Sequence, residues 1–243
     1  MRAGARVGLK LVALVGLSAL ALQLALATRI AMLAWFDPAS TAMQRSEIRR
    51  LAKEQGRVVW SWRWVDENRM SAHLGRAVIA SEDAGFVSHS GVDWEAMDRA
   101  WRHNQHRERL AARPGTAARA VRLRGGSTIT QQLAKNLLLS GERTVWRKAQ
   151  ELLLALLLEV LLDKRRILLL YLNHVEWGQG LFGAQAAARH YFGVDAARLN
   201  AAQAARLAVM LPAPKRFERQ PSSEYLLSRS AVVRLRMDSV QVP

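Results

Sequence analysis

Residues 125–136 read GGSTITQQLAKN. The double glycine interrupts the preceding chain, and Ser127 and Thr128 follow as N-cap residues of a helix predicted to run to Leu139. Gln131 stands three residues after Thr128 and completes a capping box. On that helix Thr128, Gln132, Lys135 and Asn136 fall at i, i+4, i+7 and i+8 and share a face. The face offers hydroxyl, amide and ammonium donors. The helix N-terminus adds free N–H groups and the positive end of the dipole. Such a surface suits phosphate or sugar oxygens. It is not a Walker loop, because Gly-x-x-x-x-Gly-Lys-Ser/Thr is absent.

Upstream, residues 77–93 read AVIASEDAGFVSHSGVD. Ser71 predicts a helix through Ala80, and Glu82 and Asp83 follow beside apolar Val78 and Ile79. A carboxyl next to buried surface has its pKa raised, which suits proton transfer near neutral pH. The plain alternative is a solvated acidic helix end. Downstream, residues 141–151 read GERTVWRKAQE. Arg147 and Lys148 precede Glu151 by four and three residues, so the three share a helix face. Glu151 opens the run LLLALLL and is expected to be at least partly buried and paired. An ordinary helix salt bridge, worth about 0.3–0.5 kcal/mol, is the alternative there. Together these stretches hold two separated carboxylates and the cations Lys135, Arg143, Arg147 and Lys148. That inventory suits a reaction that activates a hydroxyl while expelling a pyrophosphate. One carboxylate takes the hydroxyl proton, and the cations hold the departing charge.

Further out, the pattern stays mostly helical. Helices are predicted over 46–55 (ended by Gly56), from Asp93 to about Asn104, over 144–163, over 164–174 and over 184–192. Another is capped by Asn200 and ended by Pro212 and Pro214, and a last basic one starts at Ser222 or Ser223. Residues 57–65, RVVWSWRWV, place Trp60, Trp62 and Trp64 on one face of an extended segment, and no other strand is predicted. Residues 102–124 carry Arg102, Arg107, Arg109, Arg113, Arg119, Arg122 and Arg124 around Pro114-Gly115 and read as a mobile basic loop. A solvated segment, anionic headgroups and nucleic acid all fit that charge.

The N-terminus narrows the choice. Arg2, Arg6 and Lys10 precede an apolar run, 11–36, long enough to span a bilayer. The positive-inside rule puts residues 1–10 in the cytoplasm as a short tail and the chain after 36 outside. Residues 37–56 then read as a linker with a short helix, and 57–243 as the main domain. Cleavage after Ala25-Leu26-Ala27 and a buried core helix are the competing readings. The net charge of +16 implies an anionic partner. With no cysteine, thiolate metal sites and cysteine nucleophiles are excluded.

In order and spacing these stretches resemble the motifs of the family 51 glycosyltransferases, the peptidoglycan glycosyltransferases, and within them the monofunctional biosynthetic branch. The motifs are SEDAGFVSHSGVD (81–93), GGSTITQQLAKN (125–136), RKAQE (147–151) and KRRILLLYLN (164–173), with further agreement through EWGQGLFGAQAAARHYFG (176–193). The resemblance covers about residues 57–236. It implies a mostly α, lysozyme-like fold with a membrane-associated jaw lobe, preceded by one N-terminal transmembrane helix. It implies lipid II as acceptor and the growing lipid-linked strand as donor, in the periplasm at the inner membrane. Glu82 matches the general base that deprotonates the acceptor hydroxyl, with inversion at the donor's anomeric carbon, and undecaprenyl pyrophosphate leaves. Glu151 matches the carboxylate that assists the leaving diphosphate or its divalent cation. Lys135, Arg143, Arg147 and Lys148 match diphosphate contacts. Asp83, Phe86, His89, Ser127, Thr128, Gln132 and Asn136 match residues that hold substrate or shape the cleft. Mg²⁺ or Mn²⁺ is the implied cofactor, near Glu82, Asp83 or Glu151. The bilayer and other cell-wall synthesis proteins, including those of the division machinery, are implied partners, and nucleic acid is not.

The sequence departs from the family pattern at Leu169, where many members carry Glu. This implies a structural cost in the fourth motif and puts its usual polar network in question. Ser-x-x-Lys and Lys-Thr-Gly are absent, and the stretch after Pro214 is short, so a penicillin-binding transpeptidase is not expected. Two other readings stay open. A lytic enzyme of similar fold would need no diphosphate site. A non-enzymatic binder of anionic polymers would need neither carboxylate.

Overall fold

The computed structural model describes residues 2–111, 125–139 and 144–243, with side chains from residue 6 onward. It opens with α1 (Arg2–Met32), which already includes most of the predicted N-terminal tail. Within Arg6–Met32 the most apolar window has a mean hydropathy of 2.1, and none of that window is buried. That exposure overturns the core-helix reading and fits a membrane anchor. Among the described side chains of α1, those in its C-terminal part meet the rest of the protein. Ile30 and Leu33 enter the core, and α1 packs against α6 (Val145–Leu161). Beyond the helix end, Arg166 donates to the carbonyls of Leu33 (2.6 Å) and Phe36 (2.9 Å) and pairs with Asp37 at 2.8 Å. A guanidinium at a helix C-terminus satisfies carbonyls that have no partner in the helix.

Next comes α2 (Ala42–Gln55), which starts earlier than its predicted Ser46. Thr41 and Gln44 form a capping box there, and Gly56 at φ +63° ends the helix as expected. β1 is only Ser61–Trp62 and pairs in parallel with β3 (Leu181–Phe182), which in turn pairs antiparallel with β2 (Glu176–Gly178). The last two strands were not expected, since segments this short carry no readable alternation. The tryptophan face is as predicted. Trp60 lies against Phe182 with ring centroids 4.8 Å apart, and Trp62 stacks on His174 at 5.5 Å. Burial holds the His174 imidazole neutral, with its pKa pushed down to about 4.

The hydrophobic centre is α3 (Ala72–Glu82), capped by Ser71. It packs against α9 (Ala201–Met210), and α11 (Glu224–Arg236) covers both. Ala77, Val78 and Ile79 are fully buried there. A second group joins α5 (Ile129–Leu138) to α6 and α7 (Lys164–His174). Along the chain these helices are joined through α4 (Trp94–Ala111), α8 (Ala184–Phe192) and the short α10 (Pro214–Arg219). Pro214 therefore opens a helix at its first position as well as following the end of α9.

The basic-loop expectation is corrected in its first part. Helix α4 runs past Asn104 to Ala111, so Arg102, Arg107 and Arg109 are helical. Pairs one turn apart, Arg99–Glu95 and Arg102–Asp98, support that extension. Arg113, Arg119, Arg122 and Arg124 lie outside the described residues.

Gly183 holds the sheet against α7. Its φ is +79°, and a Cβ there would stand 2.5 Å from the Asn173 carbonyl oxygen. That oxygen cannot swing away without losing the Trp62 indole N–H it accepts at 2.9 Å. Gly183→Ala should therefore destabilise the fold by about 2 kcal/mol or more, read as a lower midpoint in urea denaturation.

Candidate active site

One cleft of about 1530 Å³ gathers most of the singled-out residues: Glu82, Asp83, His89, Ser127, Thr128, Gln132, Lys135, Arg147, Lys148 and Glu151. Phe86 and Asn136 are not in its wall. Phe86 is fully buried beneath the Lys164 ammonium, 4.5 Å from its ring centroid, and Asn136 is buried on α5. Arg143 lies outside the described residues.

Glu82 is the last residue of α3. Burial pushes its carboxyl above the usual range, while hydrogen bonds from Gln132 and Ser81 and the Lys135 charge pull the other way. Gln132 Nε2 donates to Glu82 Oε2 at 3.0 Å, and the Tyr171 hydroxyl donates to Gln132 Oε1 at 2.9 Å. Tyr171 thus fixes which end of the amide faces the carboxylate. It is fully buried in α7, and the sequence reading missed it. The available signal was a lone hydroxyl in the apolar run LLLYL. Tyr171→Phe should lower kcat about 5-fold, since the amide loses a hydrogen bond worth about 1 kcal/mol. Steady-state polymerisation kinetics checks this.

Asp83 is turned to structure. Its Oδ2 accepts the Ile129 N–H at the start of α5 at 3.0 Å, and His89 Nε2 lies 2.9 Å from Oδ1. The capping box of Thr128 and Gln131 forms as read from the sequence, and Thr128 Oγ1 also donates to the Gly91 carbonyl at 2.6 Å. Residues Glu82 to Gly91 are thereby tied to the N-terminus of α5.

Across the cleft, Glu151 is buried on α6 as expected, at 3% exposure. Arg147 Nη1 donates to its Oε2 at 2.9 Å, and Lys148 Nζ contacts Oε1. Lys148 Nζ also reaches Ser127 Oγ at 3.3 Å. Glu151 therefore holds two cations in place, one on each carboxylate oxygen.

The same bookings limit a resident metal. Both oxygens of Asp83 and both of Glu151 face protein partners, and one oxygen of Glu82 faces Gln132. Among the described residues no group of three His, Cys, Asp or Glu side chains can hold an ion.

Leu169 is only partly buried. Lys164, Arg165, Arg166, Tyr171 and Asn173 carry polar contacts of α7, and Asn173 bonds both backbone groups of Val65.

A family model described as "Transglycosylase" matches residues 46–238. The chain is 50% identical over 215 residues to a biosynthetic peptidoglycan transglycosylase of Bordetella avium, covering 87% of this chain and 86% of that one. It is 48% identical to the protein of that name from Burkholderia pseudomallei, covering 92% and 83%. With the one from Laribacter hongkongensis it shares 46% identity, covering 86% of each. The chain belongs to the transglycosylase family.

Proposed function

We propose that this protein is a monofunctional, inverting peptidoglycan glycosyltransferase that polymerises lipid II into β-1,4-linked glycan strands. The carrying observation is one cleft with the half-buried Glu82, its pKa raised, on one wall and the Glu151-ordered cations on another. Glu82 takes the proton from the acceptor's 4-hydroxyl as that oxygen attacks the donor's anomeric carbon. The bond to the lipid diphosphate breaks with inversion. Lys135, Arg147 and Lys148 receive the charge that develops on the leaving group, preset so that little reorganisation is needed. Mg²⁺ or Mn²⁺, where the reaction uses it, would supply positive charge to offset that of the leaving diphosphate.

The membrane is the second part of the proposal. With α1 in the bilayer, the cations Arg2, Arg6 and Lys10 stay on the cytoplasmic side and the cleft faces the periplasm. Exposed apolar side chains support a membrane-associated lobe. Helix α6, on which α1 packs, exposes Val145, Trp146, Leu153, Leu156 and Val160, and α4 exposes Trp94, Met97 and Trp101. Patches like these mark interaction surfaces. Incubating the detergent-solubilised protein with lipid II tests the reading. Moenomycin-sensitive strands should appear, and a protein that instead cleaves finished strands would refute it.

A further inference from the structure

Glu159 and Lys164 lie outside the cleft wall, yet they join the segments that build it. Lys164 Nζ donates to Glu159 Oε1 at 2.8 Å and to the His89 carbonyl at 2.7 Å. Thr130 Oγ1 donates to the same Glu159 oxygen at 2.6 Å. One carboxylate thus ties α5, the end of α6, the start of α7 and, through Lys164, the loop 84–93.

The pair is largely removed from water, with side-chain exposures of 9% for Glu159 and 19% for Lys164. An apolar pair of similar volume holds a fold as well or better. What it cannot do is direct a carbonyl. The neighbouring backbone is packed to match. Gly91 has φ +84° and approaches α6 so closely that a Cβ would lie 2.9 Å from Glu159 Cγ and 3.1 Å from the Ala155 oxygen. Lys164 on the His89 carbonyl and Thr128 on the Gly91 carbonyl pin the loop at two points. The His89 ring lies on that pinned stretch and reaches Asp83, the residue that follows Glu82 and caps α5.

We propose that the Glu159–Lys164 pair is a positioning device for glycosyl transfer. It fixes the loop 84–93 and, through His89 and Asp83, sets Glu82 in line with Gln132 for proton abstraction. This rests on the glycosyltransferase reading above. Neither residue touches substrate, because both lie away from the cleft and the ammonium is already engaged.

The test uses the full-length enzyme in detergent with lipid II. Glu159→Ala and Lys164→Met should each lower kcat about 10²-fold, the scale set by an ångström of misplacement, with KM unchanged. The double variant should be no worse than either single one, since the two act as a unit. Glu159→Gln keeps an acceptor for Thr130 and Lys164 and should recover most of kcat. Thr130→Val removes one arm with little change of shape and should lower kcat alone, to a smaller extent, even if Glu159→Ala fails to fold. A rise in KM at constant kcat would make Lys164 a substrate cation and overturn the proposal. So would wild-type kcat per folded molecule, which would leave the pair only a brace. A wild-type enzyme inactive on lipid II would overturn the underlying reading together with this one.

Discussion

Glu82→Gln is expected to lower polymerisation by about 10²- to 10⁴-fold, the contribution of a positioned general base. The fold should persist, because Gln keeps the shape of the side chain. Stability should move in the opposite sense to activity. Burial raises the Glu82 pKa in the folded protein. A carboxyl raised on folding contributes stability in acid, and that contribution is lost as pH rises through the folded value. At neutral pH the ionised Glu82 is therefore a burden that Gln removes. The variant should melt at or above the wild-type temperature at pH 7, with the gap closing below the ordinary carboxylate range. The wild-type pH–rate profile carries the same signature, because the base must be ionised to act. Its acidic limb should lie above that of an unperturbed carboxylate. Removing the Gln132 amide donor with Gln132→Leu should move that limb higher still. Unchanged turnover in Glu82→Gln would remove Glu82 as the base.

Glu151→Ala should be the most damaging change on the opposite wall. It removes a carboxylate at 3% exposure and leaves Arg147 and Lys148 without the counter-charge that orients them. The cations left behind are 18% and 46% exposed, so the cost is that of lost hydrogen bonds to a charged group, about 1.5–3 kcal/mol. Loss of a preset electrostatic contact to developing charge lowers kcat by about 10²- to 10³-fold. Glu151→Gln is not a rescue, since its amide N–H would face one of the two cations, donor against donor. Both variants should lose activity, with Ala also lowering the melting temperature strongly. Thermal denaturation and lipid II kinetics on the same samples check the two effects. A Glu151→Gln enzyme with wild-type kcat would show that the cations need no ordering.

The helices around the site were legible because their ends carry chemistry. Thr128 with Gln131, Thr144, Asp163, Asn200 with Gln203 and Ser223 all act as N-caps, each with a side-chain oxygen on a free N–H. The burial of Glu151 followed from the apolar run behind it. What escaped the sequence depends on contacts between distant segments. Tyr171 acts on Glu82 through Gln132, and Lys164 acts on the loop 84–93 through a backbone carbonyl. No local pattern announces either. Asp83 matched a residue that holds substrate or shapes the cleft, and the structure has it capping α5. The same residue type serves both purposes, and only the position of the Ile129 N–H distinguishes them. The length of α4 was underestimated because its arginines suggested a loop, although they sit one turn from acids.

Arg166, closing the end of α1 onto α7, leaves the anchor as a strut instead of a leash. An enzyme on a leash sweeps a volume and must find its orientation at every encounter. With the membrane placement proposed above, one on a strut would keep its cleft at a single altitude above the headgroups. Both reactants of the proposed chemistry carry lipid tails, so they arrive by diffusion in a plane, already upright. Under that geometry the growing polymer has to slide outward past a stationary machine.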